Sequence, residues 1–169
     1  MTRFQARGGM MTGAKENISK AKNFLSHGVY VISTAFEGRV NALTAAWVAR
    51  ASFVPPLITI SIGKTRFSHD MIMGSGVFAI NVLGPENIET GKRFGLKTGR
   101  KTNKFEGLDY ETSVTGSPIL KDCIAWLDCR VISSHEAGDH TVFIGEVVSG
   151  GVKNEGASPL IYDRDTFFS

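Results

Sequence analysis

Hydrophobic and polar positions along the chain fall into short runs, most of them with the two-residue period of strands. Val29-Tyr30-Val31-Ile32-Ser33-Thr34 is β-branched and aromatic, and Glu37-Gly38 supplies a turn back into residues 39–44. Behind Pro55-Pro56, the run Leu57-Ile58-Thr59-Ile60-Ser61-Ile62 alternates large apolar with hydroxyl side chains. Val77 to Leu83 is a further strand, and residues 124–134 and 140–148 form a hairpin about Ala137-Gly138-Asp139. A final short strand lies near Leu160-Ile161-Tyr162. Helical spacing is rarer. It occurs over residues 14–26, where Ile18, Ala21 and Leu25 share a stripe and His27-Gly28 is the stop. A short helix capped by Ser68 runs to Gly74, and another over residues 85–94 opens on Pro85. Residues 95–118 read as a long Gly-, Lys- and Thr-rich connection.

Consecutive strands with short peripheral helices predict a mainly β fold, an antiparallel barrel closed or partly closed, rather than a parallel sheet. At 169 residues the chain is expected to form one domain, residues 14–169, after a flexible polar segment at 1–13. A net charge of +3 is too small to make nucleic acid the expected partner. No apolar run approaches the ~18 residues of a membrane helix, and the first residues lack a secretory apolar core. Cys123 and Cys129 sit six apart in one strand-like run, on one face and too distant for a disulfide. Two unpaired thiols fit a reducing cytoplasm. His27, His69 and His135 do not combine with them in ligand spacing, so no metal is expected.

Two segments carry candidate chemistry. In Asn41-Ala42-Leu43-Thr44-Ala45-Ala46-Trp47, small side chains let backbone groups approach a flat ring, Thr44 can donate, and Asn41 offers donor and acceptor. A packed strand-to-loop transition has the same composition. In the second segment, Ser61, Lys64, Thr65, Arg66 and Ser68 bring two cations and three hydroxyls to a helix start, where an anion is favoured; a solvated loop is the plain alternative.

Together these segments resemble the flavin reductase-like, FMN-binding split-barrel family. The resemblance extends through Pro55-Pro56-Leu57, Phe78-Ala79-Ile80-Asn81-Val82-Leu83, Lys92-Arg93-Phe94, Lys104-Phe105-Glu106-Gly107-Leu108, Gly116-Ser117-Pro118-Ile119-Leu120, Gly138-Asp139-His140-Thr141 and Phe143-Ile144-Gly145-Glu146-Val147, covering roughly residues 20–165. It implies a six-stranded Greek-key barrel and a homodimer with flavin near the subunit interface. The 41–47 wording is closest to the flavoredoxin branch. That around Gly138 and Phe143 is shared with reductase components of two-component monooxygenases.

Carried over by position, the resemblance places Asn41, Leu43, Thr44, Ala45 and Ala46 at the isoalloxazine and ribityl region, and Lys64, Phe67, Ser68 and His69 at the phosphate. Asn81 falls near the ribityl chain, and Ala42, Trp47, Ser61, Ile62, Gly63 and Phe94 complete the expected lining. Family members often carry Ser where Ala46 stands, so one hydroxyl contact is absent. His140 falls where a nicotinamide would be oriented; by itself it is a hairpin residue facing solvent. Trp47 borders either the flavin or the dimer interface, and Trp126 reads as core. The basic stretch Lys92, Arg93, Lys97, Arg100, Lys101 and Lys104 meets nicotinamide phosphates or a partner's acidic face, or is simply solvated.

The expected activity is an FMN-dependent oxidoreductase taking electrons from NAD(P)H to free flavin, a partner oxygenase, or an electron-carrier or metal acceptor; FAD is the less expected flavin. The cofactor carries such chemistry, so no protein nucleophile or general base is expected. The alternatives are a flavoredoxin-like electron-transfer or flavin-binding protein not reduced directly by a nicotinamide, and a split-barrel oxidase of a small amine.

Overall fold

The computed structural model describes residues 12–163; the predicted flexible residues up to 11 lie outside that range. Nine strands and three helices follow in order: α1 (Thr12–Lys22), β1 (Tyr30–Phe36), β2 (Arg39–Ala45), β3 (Val48–Ser52), β4 (Leu57–Gly63), α2 (Phe67–Ser75), β5 (Val77–Val82), α3 (Ile88–Leu96, after a 3-10 turn), β6 (Tyr110–Thr112), β7 (Pro118–Leu120), β8 (Ala125–Ala137) and β9 (His140–Val152). Seven strands form one antiparallel sheet in the order β2-β1-β5-β8-β9-β4-β3; β6 and β7 form a separate ribbon.

The sheet curls so that its two edges, β2 and β3, are consecutive in sequence and joined only through Ala46-Trp47. No ladder pairs them among the described residues, so the barrel is split at this corner. Six strands, β1, β2, β4, β5, β8 and β9, send side chains into its interior: Ile32, Leu43, Ile60, Ile62, Phe78, Ile80, Cys129 and Phe143, with Ile72 of α2. β3 is the seventh strand, short and mostly exposed, and its charged and small residues hide it from a hydrophobic-pattern reading.

Alternate residues of the central strands face a second, outer core. Val31, Ala42 and Ala79 pack there with Leu83, Phe94, Phe105, Ile119 and Leu120. Being buried on both faces explains why these strands read as continuous apolar runs. β9 passes so close to β5 that a Cβ on Gly145 would lie 2.5 Å from the Phe78 ring.

Four local expectations are corrected. α1 ends at Lys22, and Ile18, Phe24 and Leu25 are exposed rather than packed; Gly28 bridges Ile161 instead of capping the helix. Arg66, not Ser68, precedes α2, and no side chain caps that terminus. The 95–118 connection contains β6 and the approach to β7. Cys123 lies before β8 begins, its thiol donating to Leu120 O at 3.1 Å, while Cys129 is inside the barrel. The two thiols are free and buried, and burial pushes their pKa values to about 11 and about 12.

Candidate functional site

The split corner, the start of β9 and the C-terminal end of α3 surround a groove of about 1050 Å³. Leu43, Thr44, Ala45, Ala46 and Trp47 form one wall, Ser61, Gly63 and His140 another, and Lys92, Gly95 and Leu96 of α3 the rim. Ser19 and Lys22 of α1, with Asn23 and Leu25 after it, also face the groove. Small side chains at 45 and 46 leave that wall flat, as a planar ligand requires.

Leu43, Thr44, Arg66, Gly95 and Leu96 border both this groove and a smaller chamber of about 250 Å³. The chamber is lined by Asn41, Thr65, Phe67, Ser68, Phe94, Lys97, Thr98, Gly99 and Lys104 besides those five. Three of its lining residues, Arg66, Lys97 and Lys104, are cations, and none is a carboxylate. The uncapped N-terminus of α2 starts at its wall, adding backbone N–H groups with no side-chain acceptor. Such a chamber selects an anion.

Lys104 is the chamber's most constrained charge. Only 5% exposed, its Nζ donates to Ala42 O and Phe94 O, each at 2.9 Å. An ammonium has three donors, so one remains for a ligand. Burial, then the nearby charge of Arg66, lowers its pKa to about 8. Asn41 donates from Nδ2 to Ser68 Oγ at 2.8 Å, fixing β2 against α2. Gly99 passes directly over that amide, leaving no room for a Cβ beside Asn41 Oδ1.

Not every expected residue reaches these cavities. Asn41, Leu43, Thr44, Phe67, Ser68 and Phe94 line the chamber; Ala45, Ala46, Trp47, Ser61, Gly63 and His140 line the groove. Ala42 and Ile62 are buried in the two cores. Asn81 spends its amide internally, donating to Val31 O at 3.1 Å and Ser33 Oγ at 3.2 Å and accepting from Leu120 N at 2.7 Å. Lys64 turns to Glu136, 3.5 Å away, and His69 shares a 2.9 Å hydrogen bond with Thr141 Oγ1 behind the groove wall. Thr44 is at the expected place, but its hydroxyl already donates to Gly91 O at 2.6 Å, so it is left to accept.

Lys97, Thr98, Gly99 and Lys104 belong to the stretch read as a basic connection, and Arg66 to the loop before α2. In sequence Lys104 stands out only as one of that basic stretch and as the start of the Lys104–Leu108 landmark; its burial follows from how the chain folds back on α3. At the groove, the rings of Trp47 and His140 are 4.7 Å apart. Asp139 Oδ1 lies 2.8 Å from His140 Nδ1, and that hydrogen bond holds the carboxyl below its usual range.

Known proteins resemble this chain in sequence and fold. The chain is 37% identical over 141 residues to the flavin-dependent monooxygenase reductase subunit HsaB of Rhodococcus jostii, covering 83% of this chain and 70% of that one. It is 34% identical over 146 residues to the high molecular weight rubredoxin of Moorella thermoacetica, covering 85% of this chain. The chain spans 63% of that rubredoxin's length and 26% of two longer relatives. Among solved structures, nitrilotriacetate monooxygenase component B from Mycobacterium thermoresistibile superposes with a TM-score of 0.79 at 31% identity, covering 88% of this chain and 82% of that one. A family model described as flavin reductase like domain matches residues 22–169. With fold and sequence in agreement, this chain belongs to the flavin reductase like domain family.

Proposed function

We propose that the chain is an FMN-dependent oxidoreductase that takes electrons from NAD(P)H and delivers them to free flavin or to a partner oxygenase. The observation that carries this is the anion chamber, three cations without a carboxylate, opening into a flat-walled groove. Those residues fit FMN: Arg66, Ser68, Lys97 and Lys104 would hold its phosphate, and residues 43–46 with Ser61 would face its ring. A single compact anion chamber favours FMN over FAD. Bound there, the flavin would supply all of the redox chemistry. The chain's own contribution is to bind, orient and shield. Residues 44–46 approach with backbone groups, and Trp47 with His140 narrows the groove where a second planar ring would enter. His140, tethered by Asp139, presents an aromatic edge without needing to move a proton.

The reductase-subunit relative supports an oxygenase as the consumer of reduced flavin. The rubredoxin relative favours a second reading, an electron-transfer module reduced by another protein. The two unpaired, buried thiols support a reducing, cytoplasmic setting. Among the described residues, no helix is long and apolar enough to cross a membrane. Anaerobic addition of NADH or NADPH to FMN-loaded protein tests the activity. Rapid bleaching of the visible flavin band is expected. A band that bleaches with dithionite but not with either nicotinamide would replace the reductase with the electron-transfer module.

A further inference from the structure

The outer wall of the chamber is a strap, residues 97–103, with no apolar side chain from Lys97 to Asn103. It adds nothing to either core, so polar ties alone fix its position. Its internal hydrogen bonds are long, 3.4 Å from Arg100 N to Thr98 Oγ1 and 3.5 Å from Lys101 N to Thr98 O. Mid-strap, one residue reaches the body of the fold. Arg100 Nη2 lies 2.7 Å from Asp70 Oδ2 on α2, and its guanidinium sits 5.1 Å from the centre of the Phe67 ring, itself part of the chamber wall. Directly beside this tie, Gly99 rests on Asn41. The strap is therefore latched at the point where it covers the anion site.

We propose that Arg100, acting through Asp70 and Phe67, is a positioning residue that sets how fast a phosphorylated flavin leaves the protein. It shifts FMN toward retention and away from exchange. The inference rests on the phosphate occupying the chamber. An exposed ion pair with a ring contact is small in energy, so its loss corresponds to release about three- to tenfold faster.

Two variants separate a latch from a simple attraction for phosphate. Arg100→Ala removes both the tie and a positive charge. Asp70→Asn removes the tie but keeps the arginine and strips away a neighbouring negative charge. If Arg100 acted only by charge, D70N would hold FMN longer; a latch makes D70N release it faster. Dissociation is followed by recovery of flavin fluorescence on dilution, with FMN and with riboflavin, which has no phosphate. The expected result is faster FMN release from both variants, partial recovery in Arg100→Lys, and unchanged riboflavin release. FMN preferred over riboflavin by wild type, yet released from D70N no faster, overturns the latch alone. Wild type that holds riboflavin as tightly as FMN overturns the phosphate reading and the latch with it.

Discussion

The indole of Trp47 and the imidazole of His140 meet across the groove, ring centres 4.7 Å apart and planes inclined by 43°. One comes from the corner where the barrel is split, where Trp47 O accepts from Ser61 N at 3.0 Å, and the other is the first residue of β9, paired with Gly63 of β4. Trp47 remains 51% exposed, an arrangement suited to receiving a further ring rather than to packing.

From this pair follows the expectation that His140→Ala keeps FMN bound but slows reduction by NAD(P)H. The imidazole would position the incoming ring, and misplacement by about 1 Å costs on the order of a hundredfold. Stopped-flow reduction under anaerobic conditions is expected to be ten- to a hundredfold slower, roughly, with the FMN dissociation constant little changed. Reduction at the wild-type rate would leave His140 as a hairpin residue.

If Lys104 meets the flavin phosphate, FMN affinity is expected to depend on pH. Its folded-state pKa is lowered from 10.5 to about 8, so without ligand the ammonium is present below that value and lost above it. The flavin phosphate is a dianion above about pH 6. Affinity for FMN is therefore greatest between about 6 and 8 and falls as pH rises through about 8. Riboflavin affinity is expected to stay flat over the same interval. Without ligand the unfolded chain binds more protons at this lysine between about 8 and 10.5, so this group raises stability with pH there. In Lys104→Met the fall in FMN affinity through about pH 8 disappears. Ala42 O and Phe94 O also lose their donor, costing stability about 1–3 kcal/mol for each left unpaired.

Gly145→Ala tests the packing that keeps the groove walls in register. The added methyl would meet a Phe78 ring that is itself fully buried and has nowhere to retreat. Overpacking of this kind costs about 1–3 kcal/mol. Urea denaturation is expected to give a lower midpoint with an unchanged slope.

A homodimer is expected, because the groove's rim carries exposed Trp47, Leu25 and Leu96, and Phe53 and Val54 project from the β3–β4 turn. Light scattering on FMN-saturated protein at micromolar concentration checks it; a monomer mass would contradict the expectation.

The strands that feed two cores were legible as apolar runs because burial on both faces leaves no polar alternation. β3 was not, since Arg50 and its small neighbours face solvent. Of the segment 41–47 singled out for its small side chains, residues 43–47 line the groove, while Asn41 lines the chamber and Ala42 is buried in the outer core. The chamber was less legible. Lys104 and Lys64 look alike in sequence, and only the fold buries one beneath α3 while turning the other to Glu136. Asn81 was placed near the ribityl chain by the family resemblance alone; in the fold its amide donates to Val31 O and accepts from Leu120 N.

That contrast between cations yields the last prediction, which compares Arg66→Ala with Lys64→Ala. Lys64 is three residues from the start of α2, where sequence alone would put a phosphate ligand, but its Nζ faces Glu136 and it lines neither cavity. Arg66 lines both cavities and precedes the uncapped helix terminus. If it meets the phosphate, its removal loses a charge-assisted hydrogen bond of about 1.5–3 kcal/mol, roughly a ten- to hundredfold weaker FMN complex. Lys64→Ala breaks an ion pair whose carboxylate is largely exposed, worth about 0–1 kcal/mol of stability, and should leave FMN affinity within about twofold. Riboflavin affinity should be little altered in both if the chamber holds the phosphate rather than the ring. Fluorescence titration of the two variants with FMN and riboflavin decides the matter. If Lys64→Ala lost FMN as severely as Arg66→Ala, the anion would bind on the hairpin side of the loop, and the chamber around Lys104 would not be the phosphate site.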